Sequence, residues 1–245
     1  MVGAPAAADA VHRAKSMPGL RVGLHLVVIE GPATLPPSEI PQLVDAQGRF
    51  PSAQLRLGIH YFFRPTVRRQ LATEIRAQFS AFAATGLTLD HANAHKHMHL
   101  HPTVGRMLIH IGREFGLRAV RVPAEPPKVM AACGEHPGLG DRALHLWSWL
   151  LRAQIRWARM LANDHVFGIA WSGAMTTDRL RLLARNLPEG LSEIYFHPAA
   201  GRDPTLDALM PQYQHEAELA ALLDPWVLTA LAHASLTSYT AEVNR

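Results

Sequence analysis

Between Pro65 and Thr85, the apolar residues Val67, Leu71, Ile75, Phe79 and Phe82 recur at spacings of four, four, four and three. These residues form one face of an α-helix, opened by a first-turn proline and closed by Gly86. Upstream, RVGLHLVVI from Arg21 to Ile29 is a short, nearly continuous apolar run, the pattern of a buried strand. The same alternation continues downstream. A strand is expected from Thr88 to about His95, a helix from Thr103 to Phe115 ending at Gly116, and a strand at RAVRV ending at Val122. A loop rich in proline and glycine leads to a long helix from about Asp141 to Leu161. Then come a strand at VFGIA, a helix opened by Thr176 or Thr177, a strand at LSEIYF, and a mostly helical tail with a last strand candidate near Leu236 to Tyr239.

Strand and helix in alternation predict an α/β fold of successive βα units around a parallel sheet. The pattern suits a (β/α) barrel, whose active sites lie at the C-terminal ends of the strands. No serine-rich, glycine-rich or charge-run linker interrupts the chain and no fixed-period repeat occurs, so residues 1–245 are expected to form a single domain.

Composition narrows the chemistry. The single cysteine, Cys133, excludes an intramolecular disulfide framework and a cysteine-built zinc cluster, leaving imidazole and oxygen as metal ligands. Lys and Arg number 24 against 20 Asp and Glu, a small and dispersed excess that gives nucleic-acid binding little support. The N-terminus lacks the basic start and apolar core of a secretion signal, and no run approaches a bilayer span, so the expected location is the cytoplasm.

Histidine is the anomaly. Of 15 in the chain, His91, His95, His97, His99 and His101 lie within NAHKHMHLHP and the residues just before it. If that segment is extended, His95, His97, His99 and His101 share one face. His25 lies within the first strand, His95 at the end of the second and His197 directly after LSEIYF, all near the expected mouth of a barrel. Neutral imidazole is a common ligand of zinc and other transition metals. A two-histidine site with open positions for water and a carboxylate suits hydrolysis. The plainer alternatives stay open: His25 as a satisfied core residue, His197 as a structural strand-end histidine, and Arg121 in AVRVPAE as an ordinary salt-bridge partner rather than an orienting fork.

The segment Ala143 to Leu161 (residues 143–161) combines Trp147, Trp149 and Trp157 with Arg152, Arg156 and Arg159. A basic stripe beside tryptophans fits peripheral membrane contact, at the inner membrane if the protein is cytoplasmic. A helix packed on the domain with its arginines in water is the plainer reading, and the one to prefer.

The motifs VGLHL, LVDAQGRF, NAHKHMHLHP, AVRVPAE, SGAMTTDRL and SEIYFHPA resemble the YdjC-like carbohydrate deacetylases, the family of chitooligosaccharide deacetylase, and within it the hopanoid-biosynthesis-associated branch. The resemblance implies a barrel-like fold and a divalent cation, magnesium or zinc, that assists removal of acetyl from an N-acetylglucosamine-type sugar, on a hopanoid glycolipid in that branch. It implies His25 and His95 as metal ligands and His197 as a residue of the active-site mouth. Arg121 is expected to orient the reacting groups, with Asn93 and His97 in contact with substrate.

The family pattern opens with a strand ending in an Asp-Asp pair, one carboxylate binding metal and the other serving as base. This sequence has no such segment, so the expectation is an incomplete barrel without the first strand and its following helix. Many relatives carry aspartate where Asn93 stands. The expected activity is therefore metal-dependent deacetylation. The alternatives are an impaired remnant that binds metal or glycolipid without turnover and, from another class, a histidine-rich metal buffer. The oligomeric state is open, and a homo-oligomer is compatible with it.

Overall fold

The computed structural model describes residues 1–136 and 138–245, and their side chains other than those of 139–143. In chain order the elements are α1 (Ala7–Lys15), β1 (Val22–Leu26), α2 (Gln54–Phe63), α3 (Pro65–Ala84), β2 (Leu89–Ala94), a 3₁₀ segment (His95–Leu100), α4 (Pro102–Glu114), α5 (Pro127–Ala132) and α6 (Leu139–Trp157). They continue with β3 (His165–Phe167), α7 (Thr177–Ala184), β4 (Ser192–Ile194), α8 (Pro204–Leu209), α9 (His215–Leu223), α10 (Pro225–Ala230) and α11 (Tyr239–Val243). Contacts divide the chain into two units. The first comprises residues 1–121, 147–162 and 237–245, and the second 122–146 and 163–236.

In the first unit β1 and β2 pair in parallel, with His25 opposite Asn93 and Leu26 opposite Ala94. Parallel bridges from Ala92 to Val120 and from Ala119 to Leu161 extend the pairing beyond the named strands. The helix expected from Pro65 is α3, and its predicted face Val67, Leu71, Ile75, Phe79 and Phe82 is buried throughout. Gly86 and Gly116, at φ +73° and +81°, follow the ends of α3 and α4 in the left-handed conformation that suits glycine there. The same buried side of α3 carries two polar residues. Gln78 donates to the carbonyl of Val27 and accepts from its N–H, while Glu74 accepts from Thr34 N and Leu35 N. This is why the expected strand Arg21–Ile29 stops at Leu26: the backbone polar groups of Val27 are taken by a side chain instead of a neighbouring strand.

Other expected boundaries move for similar reasons. RAVRV contributes isolated bridges at Ala119 and Val120 rather than a strand, because the N–H of Val122 turns to Asn163 Oδ1 at 2.7 Å. The long helix ends at Trp157, not Leu161, since Leu161 N donates to Arg118 O at 2.9 Å and joins the sheet. The side chains of Asp141 and Ala143, where that helix and the aromatic–basic segment were expected to begin, lie outside the described residues. The strand candidate near Leu236 to Tyr239 is instead the entry to α11, where the Ser238 side chain accepts from Ala241 N and replaces strand pairing with a helix cap.

The second unit has its own parallel pair, β3 with β4, placing Phe167 opposite Ile194. Its core gathers Phe167, Trp171, Met175, Leu180, Leu183 and Val227. The expected strand VFGIA ends at Phe167 because the N–H groups of Gly168, Ile169 and Ala170 all donate to the Glu125 carboxylate, at 2.9 to 3.0 Å. Of Thr176 and Thr177, the residues expected to open the next helix, Thr176 takes the N-cap position of α7 without a side-chain cap bond and Thr177 is its first residue. No helix among the described residues is long and apolar enough to cross a membrane.

Candidate functional site

Register builds the site in the first unit. His25 and Asn93 are paired across β1 and β2, so their side chains emerge on the same face. Arg121 N donates to Ala92 O at 3.1 Å, which brings Arg121 to the other side of Asn93. His95 follows β2 directly. The outcome is a row of Arg121, Asn93, His25 and His95.

The distances are short throughout that row. Arg121 Nη1 and Nη2 lie 3.1 and 3.2 Å from one amide atom of Asn93, and His25 Nδ1 lies 2.5 Å from the other. His25 Nε2 is 3.4 Å from His95 Nδ1, with the rings edge to face at 76°. Burial, the largest cause, pushes the His25 pKa down to about 3, so this imidazole is neutral at physiological pH. Two nitrogens each about 2.1 Å from one tetrahedral zinc are themselves about 3.4 Å apart. The pair therefore fits a shared divalent cation. Among the described residues no group of three or more His, Cys, Asp or Glu side chains could hold a metal, so the protein ligands visible here are these two imidazoles.

The histidine block does not run extended. Lys96 and His97 take φ of +48° and +54°, turning the chain into the 3₁₀ segment, and the expected common face of four histidines is lost. Lys96 Nζ pairs with Glu30 at 2.5 Å, tying the turn to the loop after β1. His97 is half-buried, with its ring 6.4 Å from that of His99. His99 is wholly buried and its Nε2–H donates to Arg121 O at 2.9 Å, holding the backbone of the residue that flanks Asn93. Burial pushes its pKa down to about 3 as well. Sequence reasoning named His99 only as part of the cluster. Its signal was position: it is the histidine two residues before the one that precedes α4. A Cβ on Gly105 would strike the His99 carbonyl, so α4 can approach this turn only through glycine.

His197 belongs to the second unit, where it is clamped. Its N–H donates to Glu218 Oε2, its carbonyl accepts from His215 Nδ1 at 2.5 Å, and its ring lies 5.0 Å from Tyr213 and 5.6 Å from Tyr195. The fully buried Glu218 also accepts from Met175 N at 3.0 Å. Gly173, at φ +77°, leaves room for the Tyr213 ring where any Cβ would clash. Glu218, Tyr213 and His215 lie outside every sequence motif singled out above. A pocket of about 210 Å³ in this unit is lined by Glu125, Met130, Glu135, His136 and His145 among others, and by none of the expected site residues.

Carbohydrate deacetylases are among the similar proteins. One from Brevibacillus brevis is 35% identical over 118 residues, 48% of this chain and 42% of that protein. One from Geobacillus stearothermophilus is 26% identical over 234 residues, 95% of this chain and 79% of that protein. Against the Brevibacillus relative, then, the match spans less than half of its length. A crystal structure from Enterococcus faecalis V583, of a protein assigned by name to cellobiose-phosphate cleavage, superposes with a TM-score of 0.72 at 20% identity, covering 99% of this chain and 85% of that one. The likeness supports the α/β fold. The model of the YdjC-like protein family matches residues 1–233, and with that extent the chain belongs to the YdjC-like family.

Proposed function

We propose that this chain is a metal-dependent deacetylase of an N-acetylglucosamine-type sugar. The observation that carries the reading is the 3.4 Å approach of His25 Nε2 to His95 Nδ1, a separation suited to one shared cation. A bound divalent ion would supply Lewis acidity at an acetamide carbonyl and a lowered water pKa. Zinc fits the imidazole pair, and magnesium would lean on further oxygen ligands.

The reaction breaks the amide C–N bond and forms a C–O bond, giving acetate and a free amine that must receive a proton. His25 and His95 hold the ion. Arg121, whose guanidinium lies against the Asn93 amide, is the orienting group. Asn93 positions His25, and His97 is the nearest substrate-contact candidate on the 3₁₀ turn. The role of His197 as proton donor to the leaving amine rests on the motif EIYFHPA.

The substrate we propose is a hopanoid glycolipid, and a lipid-facing surface supports it. Trp149 and Trp157 of α6 are 63% and 90% exposed, beside the exposed Arg156 and Arg159. The structure adds a second stripe. Leu55, Ile59, Phe62 and Phe63 of α2 are exposed at helical spacing, with Arg56 and Arg64 adjoining. Apolar stripes bordered by arginine suit the interface of an anionic bilayer.

An acetate-release assay on N-acetylglucosaminyl lipid and on chitooligosaccharides, with zinc or magnesium supplied, tests the proposal. Release from either substrate, lost in His25→Ala and His95→Ala, is the expected result. Zinc binding that depends on His95 without release from either substrate would replace it with the non-catalytic alternative.

A further inference from the structure

Arg121, Asn93 and His25 stand in a row whose hydrogens can be counted. A guanidinium only donates, so the Asn93 atom 3.1 and 3.2 Å from Arg121 is the amide oxygen, and the atom 2.5 Å from His25 Nδ1 is the amide NH2. His25 Nδ1 must then accept. A neutral imidazole that accepts at Nδ1 carries its proton on Nε2. That proton points along the 3.4 Å line to His95 Nδ1.

We propose that Asn93, oriented by Arg121, is a positioning residue that holds His25 in the tautomer with Nε2–H, the form unable to ligate at Nε2, and so sets the cost of loading the site. The inference rests on the metal reading above and deepens it. For His25 to present a lone pair at Nε2, its proton must move to Nδ1, where it meets the Asn93 NH2. The amide must turn over, and its NH2 then faces the Arg121 guanidinium, donor against donor. Whether the amide turns or stays, the Nδ1–H tautomer gives up one of the two hydrogen bonds to Asn93 that the Nε2–H tautomer keeps. An aspartate of the same shape has no such conflict, because its two oxygens accept from Arg121 and from His25 Nδ1–H together, the carboxylate–histidine arrangement that fixes a ligating imidazole. No net proton is gained or lost in this exchange, so it is a choice of tautomer.

The experiment reads both parts. Long-range ¹H–¹⁵N correlation on the metal-free, histidine-labelled protein at pH 8 reports which ring nitrogen of His25 is protonated, with His25→Gln assigning the signals. The expected result is Nε2–H in the wild type and Nδ1–H in Asn93→Asp. Arg121→Met, which frees Asn93 to turn, should move the population toward Nδ1–H without introducing a carboxylate. Chelator competition with zinc alone should then show Asn93→Asp binding at least about tenfold tighter than wild type. Nδ1–H on His25 in the wild type would overturn the proposal, as would equal or weaker zinc affinity in a folded Asn93→Asp. Zinc binding that is indifferent to His95→Ala would instead remove the metal reading, while the tautomer measurement would still decide the role of Asn93.

Discussion

His25 and His197 are both strand-associated histidines, and their surroundings differ in kind. His25 sits where side-chain nitrogens face one another: Nδ1 meets an amide, Nε2 meets His95, and the backbone is occupied with ordinary parallel pairing to Asn93. His197 sits where the backbone itself is gripped, its N–H by Glu218 and its carbonyl by His215. In the first case the structure brings two imidazole nitrogens to 3.4 Å of each other. In the second it invests a buried carboxylate and a second histidine in fixing where the main chain runs. Both are histidines beside strands, so counting histidines could not separate the two surroundings.

The contrast is sharpest if broken at its strongest points. His95→Ala should lower acetate release by about 10³-fold or more, about 4 kcal/mol in transition-state terms, while urea denaturation shifts little, because a half-buried ring is removed. Glu218→Ala should do the reverse. The buried N–H of Met175 and the partly buried N–H of His197 lose their acceptor, for a loss on the order of 3 kcal/mol in denaturant unfolding, with zinc affinity at the His25–His95 pair unchanged. A large drop in zinc affinity in that variant would break the distinction between the two histidine environments.

A third test uses pH. His99 has its folded pKa pushed down to about 3 by burial, against about 6.5 when unfolded. Between those values the unfolded chain holds a proton there that the folded chain does not, so stability falls as pH falls from about 6.5 toward 3. The slope is about 1.4 kcal/mol per pH unit for this residue. His99→Gln should remove about 2 kcal/mol of the stability lost between pH 7 and pH 5, where the unfolded residue is still taking up its proton, and an unchanged pH dependence would show that His99 is not held neutral. The smallest effect is expected at the surface. Phe63→Ser on the exposed face of α2 should change stability by no more than about 0.5 kcal/mol, yet weaken sedimentation with phosphatidylglycerol vesicles while sparing activity on soluble chitooligosaccharides.

Local pattern made several features legible. The α3 face emerged whole because five apolar residues at helical spacing need no partner to be recognised, and Gly86 and Gly116 mark the helix ends through the conformation only glycine adopts freely. His25 and His95 were legible as candidates from their motifs. The row they form with Asn93 and Arg121 was not, because it depends on the register between β1 and β2 and on a single backbone bond from Arg121 to Ala92, neither of which leaves a local trace. Whether the histidine block runs extended is not legible in its spacing, because period two is also compatible with the kinked turn found here, stabilised at Lys96 by Glu30 from another loop. Strand ends were overestimated wherever a buried side chain, Gln78 or Glu125, took over the backbone hydrogen bonds.

By itself, then, the sequence determined the α/β alternation, the buried face of α3, the glycine-marked ends of α3 and α4 and the concentration of imidazoles after the second strand, all of which are written in short-range periodicity and residue type. Only the tertiary structure decided which imidazole nitrogens meet, which way Asn93 turns between Arg121 and His25, and that His99 and Glu218 are buried supports. Those outcomes turn on contacts between residues tens of positions apart, where a hydrogen bond is made or lost over a few tenths of an ångström.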